Sequence, residues 1–555
     1  MIKKIKLKFG SSQTKPHLET DVTPITIFVG PNNSGKSKIL LEIQSFCNNG
    51  ILSATDVILE GLDFAPIADP ESEINKYRLT PNQGEFIQPQ HILFGKGSWR
   101  NQLDPKTLKS CLSDNTTQKQ MFCQWFVTFN TIRIDGRSRI NLVDDQTGGD
   151  LQGNPQNSFS VLFKDNAKRK EVRRIIFDAF KKYFVIDPTS LGQLRIRLSD
   201  AEPINDIQEC GLHSEAIEFH RKAVSISSAS DGVKAFTGII TTIIAGDPQI
   251  VLIDEPEAFL HPSLASNLGK EVSNSVSGGS KNLFVSTHSS NFLMGCIQSG
   301  MPINIIRLTY SNNTPTARLL PSDKVLKLMR HPLLRSTGVL NGLFYEFVIV
   351  TEADSDRAFY QEINERLLMH EPTKGIPNCL FLNAQNKQTI HEIVRPLREM
   401  GIPCAAIVDV DVIKEGGTVW TNLLSSASIP DVTIQSTTTS RSIIKKSFDA
   451  KDTNFKTQGG IDVLDPADKE ACNNLFDQLD EYGIFPVRKG ELESWLKGLG
   501  VNASHSPDWL IEIFEKLGED PTARNYIKPT IGDVWDFMAK IKTWFSNPTR
   551  KGIPE

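Results

Sequence analysis

Gly30-Pro31-Asn32-Asn33-Ser34-Gly35-Lys36-Ser37 is the stretch that decides the fold of this chain of 555 residues. It fits the phosphate-binding loop pattern GxxxxGK[ST], in which glycines let backbone N–H groups wrap phosphates at the start of a helix. The apolar run Ile25–Val29 precedes it, and apolar residues at helical spacing follow it as far as Phe46. This order of strand, loop and helix predicts an α/β nucleotide-binding domain.

The residue types of the loop assign its contacts with ATP. We expect Lys36 to reach the β- and γ-phosphates and Ser37 to hold Mg²⁺. The other loop residues predicted to bind the nucleotide are Gly30, Asn32, Asn33, Ser34 and Gly35. ATP and Mg²⁺ are therefore the predicted cofactors of this domain.

Two further apolar runs end in polar residues that suit ATP hydrolysis. The run Ile250–Ile253 leads into Asp254, expected at the Mg²⁺ shell, and into Glu255, the predicted catalytic residue that polarises the attacking water. The run 282–285 leads towards His288, which is expected to contact the γ-phosphate. Alone, these features also fit an acidic surface turn and a structural histidine. Their order after the phosphate-binding loop favours hydrolysis.

A short polar segment, Ser230-Asp231-Gly232, precedes another helical pattern and would also fit an ordinary helix N-cap. Together with the motifs above, it resembles the ABC ATPase superfamily, in which a Ser-x-Gly signature contacts the γ-phosphate held by a partner subunit. The resemblance implies that Ser230 and Gly232 bind ATP across a homodimer or a higher homo-oligomer.

A second set of acidic residues lies further along the chain. Glu352 follows the apolar run 347–350, Asp356 comes four residues later, and Asp409 and Asp411 follow the run 405–408. If the two runs are neighbouring strands of a parallel sheet, these carboxylates converge at one edge of it. Oxygen ligands of this kind suit Mg²⁺, with Mn²⁺ as an alternative, and such ions can activate water for attack on a phosphodiester.

These four carboxylates resemble the metal site of a TOPRIM domain, the fold of topoisomerases, primases and certain nucleases. Asn386-Lys387, between the two acidic elements, resembles the small-residue–Lys turn of that family. Ala353 stands where most members have glycine, which changes the freedom of the turn and leaves the carboxylates in place.

An ABC-type ATPase followed by a TOPRIM domain resembles the OLD (overcoming lysogenization defect) nuclease family. The resemblance implies that Glu493 completes the metal site and that Lys528 assists the chemistry as a catalytic residue. An exposed helix start and a solvated lysine are the alternatives at these two positions. The long segment between Asp411 and Gly483 has no counterpart in the motifs.

The composition is that of an ordinary soluble protein, with 39% hydrophobic and 23% charged residues and a net charge of −4. Nucleic acid would therefore have to meet a local basic patch. The eight cysteines form no CxxC pair, which favours reduced thiols in a cytoplasmic protein. The alternating start Met1–Lys8 is typical of a strand, and no apolar run approaches the length of a membrane span.

The patterns divide the chain into three parts. We predict an ABC-type P-loop ATPase domain at 1–340, a TOPRIM α/β domain at 341–500 and a helical C-terminal part at 501–555. Within the first, residues 150–220 are predicted as a helical insertion that makes dimer contacts. A hairpin is expected around Asp135-Gly136-Arg137, and the Ser/Thr-rich stretch 424–442 is expected as a loop or an insertion.

A basic run lies on a helix predicted from Ala167 to Phe184. Such a run can contact nucleic-acid phosphates, but a solvated helix face is the interpretation that we favour. Its members are Lys168, Arg169, Lys170, Arg173, Arg174, Lys181 and Lys182.

The leading hypothesis is an ATP-binding and ATP-hydrolysing, Mg²⁺-dependent endonuclease or nickase that acts on DNA in antiphage defence. One alternative is an ATP-driven DNA repair or maintenance ATPase, although no sustained heptad run appears. The other is a non-cleaving ATP-dependent sensor or scaffold. Some OLD-type nucleases act with a reverse transcriptase and its RNA–DNA product (a retron) or with another sensor, so such a partner is included in the hypothesis, and a membrane is not.

Overall fold

A computed structural model describes residues 1–12, 14–82, 84–150, 152–277, 281–311, 313–320, 323, 325–326, 330–332, 338–451, 453–503 and 507–554. The chain separates into two compact units, Met1–Ser322 and Asp323–Glu555. The predicted boundary after residue 340 lies within the second unit. Among the described residues, no helix is both long enough and apolar enough to cross a membrane.

The first unit contains fifteen described strands and eleven described α-helices. Its strands are β1 (Ile2–Leu7), β2 (Leu18–Asp21), β3 (Ile25–Val29), β4 (Leu59–Phe64), β5 (Ile92–Lys96), β6 (Trp99–Leu103), β7 (Thr131–Ile134), β8 (Gln146–Thr147), β9 (Tyr183–Ser190), β10 (Gln193–Ser199), β11 (Val224–Ser225), β12 (Ile250–Asp254), β13 (Asn282–Ser286), β14 (Ile303–Ser311) and β15 (Thr314–Leu320). Its helices are α1 (Lys36–Asn49), α2 (Pro70–Lys76), α3 (Pro105–Ser113), α4 (Lys119–Phe122), α5 (Ser158–Lys164), α6 (Asn166–Phe180), α7 (Asp206–Cys210), α8 (Ser214–Lys222), α9 (Asp231–Gly246), α10 (Pro262–Ser275) and α11 (Ser290–Gln298).

The central sheet of the first unit has the strand order β15-β14-β3-β13-β12-β7. All pairs except β14–β15 are parallel. β3, β12 and β13 are apolar almost throughout because both faces of a parallel sheet are covered. Their carboxyl ends meet at one edge, so the phosphate-binding loop, Asp254 and Ser286 come together there.

The other sheets of the first unit are antiparallel. β1 pairs with β2 and β4, and β5 pairs with β6. β10 pairs with β8, β9 and β11. The alternating start Met1–Lys8 is therefore correctly predicted as a strand.

The second unit contains β16 (Phe347–Thr351), β17 (Cys379–Asn383), β18 (Cys404–Asp409) and β19 (Ile484–Val487). Its described helices are α12 (Asp354–His370), α13 (Ile390–Glu399), α14 (Gly417–Ser426), α15 (Asp431–Asp449), α16 (Pro466–Glu481), α17 (Asp508–Leu517) and α18 (Asp533–Ser546). The strands form a parallel sheet in the order β17-β16-β18-β19. β16 and β18 are neighbours, as the convergence of the four carboxylates requires.

The C-terminal helices belong to the core of the second unit. Trp509 of α17 and Trp535 and Met538 of α18 are buried in one apolar cluster with Ile349 of β16 and Phe359 of α12. The predicted helical tail 501–555 therefore covers a face of the parallel sheet.

Short turns of other helix types connect these elements. A π-helical turn spans Cys123–Val127. The described 3₁₀ turns are Thr128–Asn130, Ser138–Val143, Ile226–Ser228, Val339–Phe344, Val410–Lys414, Gly460–Val463, Leu492–Ser494 and Lys497–Leu499.

Most of the Ser/Thr-rich stretch 424–442 lies in α14 and α15, so the prediction of a loop is wrong. Hydroxyl groups within α15 donate to carbonyls one turn earlier, as from Thr437 to Thr433 (2.8 Å) and from Ser442 to Thr438 (2.9 Å). Ile434 and Ile444 point inward at helical spacing. Burial of this face outweighs the low helix propensity of serine and threonine.

The predicted hairpin around Asp135-Gly136-Arg137 is also absent. β7 ends at Ile134 and pairs in parallel with β12. The carboxylate of Asp135 accepts from the N–H of Ser138 (2.9 Å) and starts the 3₁₀ turn Ser138–Val143. The turn residues therefore begin a helical turn instead of returning the chain antiparallel.

Residues 150–220 contain strands as well as helices, so their description as a helical insertion is incomplete. α5, α6, α7 and α8 flank the hairpin of β9 and β10. β10 buries Leu194, Ile196 and Leu198 and turns the two arginines between them to the other face. This period of two is the strand signal that the charged neighbourhood obscured.

Candidate nucleotide and metal sites

The phosphate-binding loop has the backbone that its glycines predict. Gly30 and Gly35 have φ of 145° and 92°, and Asn33 has φ of 60°. A Cβ atom on Gly30 would lie 2.0 Å from the carbonyl oxygen of Leu308. Position 30 therefore accepts only glycine, and the loop turns back on itself at the N-terminus of α1, where backbone N–H groups favour anions.

Lys36 is held inside this loop. Its ammonium donates to the carbonyl oxygens of Gly30 (2.9 Å) and Pro31 (2.6 Å). Burial lowers the pKa of Lys36 to about 8, although Glu255 and Asp254 oppose the shift. These two hydrogen bonds thus hold the lysine that is predicted to contact the phosphates inside the loop. Ser37 and the side chains of Asn32 and Asn33 are exposed, while Ser34 is buried.

The acidic residues after β12 lie at the same edge of the sheet. Asp254 pairs with Ser286 across the β12–β13 ladder, and the hydroxyl of Ser286 donates to the Asp254 carboxylate. Glu255 takes a left-handed backbone (φ 49°), and its N–H donates to the carbonyl oxygen of Ser286 (2.9 Å). Such a conformation is uncommon for a non-glycine residue, and the carboxylate at this position is half exposed.

His288 and Glu257 complete this edge. The imidazole Nε2 of His288 lies 3.5 Å from the carboxylate of Glu255. The N–H of His288 donates to Glu257 Oε1 (2.7 Å), and burial raises the pKa of Glu257. Burial and the nearby Lys36 lower the pKa of His288, which favours its neutral form. The predicted catalytic and sensing residues are therefore in contact.

Arg139 is a member of the site that the sequence did not reveal. Its guanidinium is fully buried and donates to the carbonyl oxygens of Glu255 and Asp254, the latter at 2.7 Å. The arginine supports the backbone that carries the two acidic side chains. Nothing near residue 139 in the sequence distinguishes it from a surface arginine.

The segment Ser230-Asp231-Gly232 lies at the N-terminus of α9, with Ser230 exposed at the N-cap. A Cβ atom on Gly232 would lie 2.6 Å from the carbonyl oxygen of Phe259, so this position needs glycine. Ser230 makes no side-chain cap hydrogen bond. Its hydroxyl is therefore available to a ligand.

In the second unit, three of the five carboxylates predicted as metal ligands converge. Oxygen atoms of Glu352, Asp409 and Asp411 lie within 4.8 Å of one another. The N–H of Asp409 donates to Glu352 Oε1 (3.0 Å), which orients that carboxylate from the neighbouring strand end. Residues 57 positions apart are thus brought together by the pairing of β16 with β18.

Asp356 and Glu493 belong to the same electrostatic environment. Asp356, in the first turn of α12, accepts from the N–H of Ala353 (2.9 Å). Burial and the charges of Asp409 and Glu493 raise the pKa of Asp356 to about 7. Burial also raises the pKa of Glu352 and of Asp409. The cluster therefore disfavours full ionisation unless cations are supplied.

Two lysines contact this cluster. Lys387 Nζ lies 2.7 Å from Asp411 Oδ2 and 3.3 Å from Glu415. Lys456 Nζ lies 2.9 Å from Asp409 Oδ2 and 3.3 Å from Glu491. Lys387 belongs to the turn predicted from the sequence, whereas Lys456 and Glu491 were not predicted. Residue 456 lies in the long segment that matched no motif.

The residues present fit a divalent cation of the hard type. All donors are carboxylate oxygens, as Mg²⁺ and Mn²⁺ prefer. Asp411 Oδ1 is buried and accepts no hydrogen bond from the described residues. A buried carboxylate oxygen without a donor is expected where a metal ion is the missing partner.

Lys528 is exposed and makes no ion pair with any described residue. Its assignment as a catalytic residue rests on the family resemblance alone. By contrast, Glu493 is partly buried and close enough to raise the pKa values of Asp356 and Glu491.

Most residues of the basic run on α6 and just after it form ion pairs or hydrogen bonds within the first unit. Arg169 and Arg173 are buried and pair with Glu209 at 3.0 Å and 2.6 Å. Arg174 pairs with three carboxylates, among them Glu271 (3.0 Å). Lys168 donates to a carbonyl, and Lys182 pairs with an exposed aspartate. The run is better explained as structural than as a phosphate-binding face, and the favoured interpretation of a solvated helix face is wrong for the buried Arg169 and Arg173.

Two protein-family models match parts of the chain, one in each unit. The AAA_21 family, described as an AAA domain and candidate AbiEii toxin of a type IV TA system, matches residues 165–294. The TOPRIM domain of proteins like the overcoming lysogenization defect protein matches residues 343–411. The first match contains Ser230, Glu255 and His288, and the second contains Glu352 and Asp409.

Among curated proteins, Old nuclease of Escherichia phage P2 is 23% identical over 554 aligned residues, covering 85% of this chain and 89% of that protein. Solved structures with similarity include an Smc head bound to the C-winged helix domain of ScpA, with 13% identity, 59% of this chain and 99% of that chain covered, and a TM-score of 0.35. The SMC head domain from Thermotoga maritima gives 13% identity, 58% and 99% coverage, and a TM-score of 0.30.

The chain therefore combines an AAA-type ATPase domain with an OLD-like TOPRIM domain and is a homologue of Old nuclease. These matches support an enzyme with ATPase and nuclease activity. The predicted fold class, an α/β P-loop ATPase followed by an α/β TOPRIM domain, is confirmed.

Proposed function

We propose that this chain is an ATP-binding and ATP-hydrolysing, Mg²⁺-dependent endonuclease or nickase that cuts DNA. The observation that carries the proposal is the convergence of Glu352, Asp409 and Asp411 at the carboxyl ends of two parallel strands. These carboxylates lie in a TOPRIM domain like that of a nuclease family, on a chain that also carries a complete phosphate-binding loop.

At the cutting site, the residues act as ligands and orienting groups. Glu352, Asp409 and Asp411 would hold the metal, with Asp356 and Glu493 as neighbouring carboxylates. Bound Mg²⁺ would supply Lewis acidity and an activated water. The hydrogen bond from Asp409 N–H keeps the Glu352 carboxylate directed to the cluster.

At the ATP site, each residue has one task in hydrolysis. Lys36 would leave the loop carbonyls for the phosphates, and Ser37 and Asp254 would hold Mg²⁺. Glu255 would orient the attacking water, while His288, in contact with Glu255, would sense the γ-phosphate. Nucleotide state at this edge would regulate cutting in the second unit.

The proposal includes a homodimer or higher homo-oligomer. The exposed Ser230 at the start of α9 would contact the γ-phosphate held by a second copy. Residues 150–220 present exposed apolar side chains that suit a self-contact, namely Leu191, Ile204, Ile207, Leu212 and Ile217. Association would then bring two ATP sites under common control.

A role in antiphage defence in the cytoplasm is part of the proposal and rests on the family resemblance. A reverse transcriptase with its RNA–DNA product, or another sensor, would be the trigger in such a system. The genes that neighbour this one would identify such a partner, and no residue described above recognises one.

Cleavage of supercoiled plasmid tests the proposal directly. Purified full-length protein is incubated with Mg²⁺ or Mn²⁺, with and without ATP, beside Asp409→Ala and the matched control Asp449→Ala, an exposed aspartate of the same unit. Metal-dependent nicking or linearisation is expected for the wild type and the control. Loss of a metal ligand should lower the rate by about 1,000-fold or more.

Equal cutting by Asp409→Ala would show that the carboxylates are not the cutting site. If the wild type leaves the plasmid intact under every condition, including addition of ATP, the proposal of an autonomous nuclease is wrong. The alternative of a non-cleaving sensor or scaffold is then favoured.

A further inference from the structure

Lys456 occupies a place in the carboxylate cluster that neither the motifs nor the family matches assign. The TOPRIM match ends at residue 411, and Lys456 comes from the segment between Asp411 and β19. Its ammonium lies 2.9 Å from Asp409 Oδ2 and 3.3 Å from Glu491. The side chain keeps 31% of its surface exposed, so Lys456 is accessible from solvent while it contacts the carboxylates.

The backbone around Lys456 is fixed against the strand end that carries Glu491. A Cβ atom on Gly490 (φ 130°) would lie 2.1 Å from the carbonyl oxygen of Lys456, so the two backbones are in direct contact. The N–H of Ile461 donates to the carbonyl oxygen of Arg488 (2.9 Å). These contacts position the lysine through the main chain on both sides.

Side-chain packing fixes the same turn. Phe455 is buried and stacks on Phe448 of α15 with ring centroids 4.1 Å apart. The N–H of Gly460 donates to the carbonyl oxygen of Phe455 (2.8 Å), which closes the turn. α15 thus serves as the support from which Lys456 reaches the cluster.

The charges around Lys456 change when a cation binds. Asp409 and Glu491 are its ion-pair partners, and Asp409 also belongs to the triad that fits a metal ion. A divalent cation on Asp409 would compete for that carboxylate and repel the ammonium. The flexible four-carbon side chain of Lys456 can then move its ammonium into contact with an anion bound at the same place. The anion that the proposed function brings there is a phosphodiester.

We propose that Lys456 is a catalytic residue of the nuclease, contacting a non-bridging oxygen of the scissile phosphodiester. This inference rests on the proposed function and adds a residue to it. In hydrolysis, the oxygen of water bonds to phosphorus, the bond from phosphorus to the leaving sugar oxygen breaks, and that oxygen gains a proton while the water loses one. Lys456 stabilises the negative charge that develops on the phosphate and itself neither gains nor loses a proton.

Steady-state cleavage by Lys456→Ala and Lys456→Arg in the full chain tests this role. The matched control is Lys451→Ala, a lysine of the same segment that pairs with the exposed Asp465 (2.7 Å). At saturating Mn²⁺, Lys456→Ala should lower kcat for plasmid cleavage by about 100-fold, the usual loss for one charge-stabilising donor. Lys456→Arg should recover part of that loss, and the control should cleave like the wild type.

Mn²⁺ binding by calorimetry supplies a second readout that does not depend on cleavage. Lys456→Ala should bind Mn²⁺ as tightly as the wild type or up to about tenfold more tightly, since one competing cation is gone. Thermal unfolding of each variant verifies that the second unit is folded. Arginine keeps the charge, so Lys456→Arg remains informative if the alanine variant is unstable.

Two results would overturn the role of Lys456 alone. If the kcat of Lys456→Ala equals that of the wild type, Lys456 does not contact the phosphodiester in the reaction. Weaker Mn²⁺ binding with an unchanged kcat at saturation shows that Lys456 only positions Asp409. In both cases the wild type cuts and Asp409→Ala does not. A wild type that fails to cut would instead refute the proposed function, and the role of Lys456 with it.

Discussion

The ATP site and the carboxylate cluster both lie at the carboxyl ends of parallel strands, but they are stabilised differently. Around Lys36, the charge is held by backbone carbonyls six and five residues earlier in one loop. Around Asp409, carboxylates from separate elements crowd together, and burial raises their pKa values. The first arrangement is complete within a short stretch of chain, whereas the second needs added positive charge.

This difference explains why lysines behave differently at the two sites. Lys36 is surrounded by carbonyl oxygens in a buried loop, and burial lowers its pKa to about 8. Burial alone would also lower the pKa of Lys456, but Asp409 and the neighbouring carboxylates raise it above its ordinary value. Phosphate binding needs the charged ammonium of Lys36, so its lowered pKa makes that binding depend on pH. A lysine that stays charged suits a site rich in carboxylates.

The largest effect expected at the ATP site separates the rate of hydrolysis from the affinity for ATP. Glu255→Gln should lower the rate of ATP hydrolysis by about 100- to 1,000-fold, because the amide cannot accept a proton from water. ATP affinity should stay near that of the wild type, as should Mn²⁺ binding in the second unit. Hydrolysis assays and calorimetry measure both, with Glu202→Gln, an exposed glutamate, as the control. If Glu255→Gln hydrolyses ATP at the rate of the wild type, another residue is the general base.

A smaller effect is expected when the loop lysine is removed. Lys36→Ala should weaken ATP binding by about 10- to 100-fold, the value of one charge-assisted contact. Mn²⁺ binding in the second unit should be unaffected, since the loop is self-contained. Lys38→Ala is a matched control, because Lys38 lies on the same helix and its ammonium pairs with Glu42 (3.5 Å). A loss of Mn²⁺ affinity in Lys36→Ala would contradict the independence of the two sites.

The smallest effect is a dependence of ATP binding on pH. With a pKa of about 8, Lys36 is mostly charged at pH 7 and mostly neutral at pH 9 in the nucleotide-free protein. ATP affinity should therefore fall by up to about tenfold over this range as the ammonium loses its proton. Calorimetric titrations across the range measure it, and Lys36→Arg should flatten the profile, since arginine stays charged. A flat profile in the wild type would mean that the loop holds Lys36 charged throughout.

Much of both sites could be predicted because local patterns report local structure. A strand, a glycine turn and a helix occur in direct succession at residues 25–46, and apolar runs followed by acids mark β12, β16 and β18. The residues that were missed or misassigned have no such neighbours in sequence. In the sequence, nothing distinguishes Arg139 and Lys456 from other basic residues, and the Ser/Thr content of α15 suggested a loop.

By itself, the sequence determined the order of the two α/β units, the phosphate-binding loop and the set of carboxylates, because periodicity and short motifs are written along the chain. Only the tertiary structure decided that Lys456 lies among those carboxylates, that Arg139 supports Glu255, and that Arg169 and Arg173 are buried against Glu209. Side chains far apart in sequence meet through sheet pairing and packing, and neither leaves a local signal.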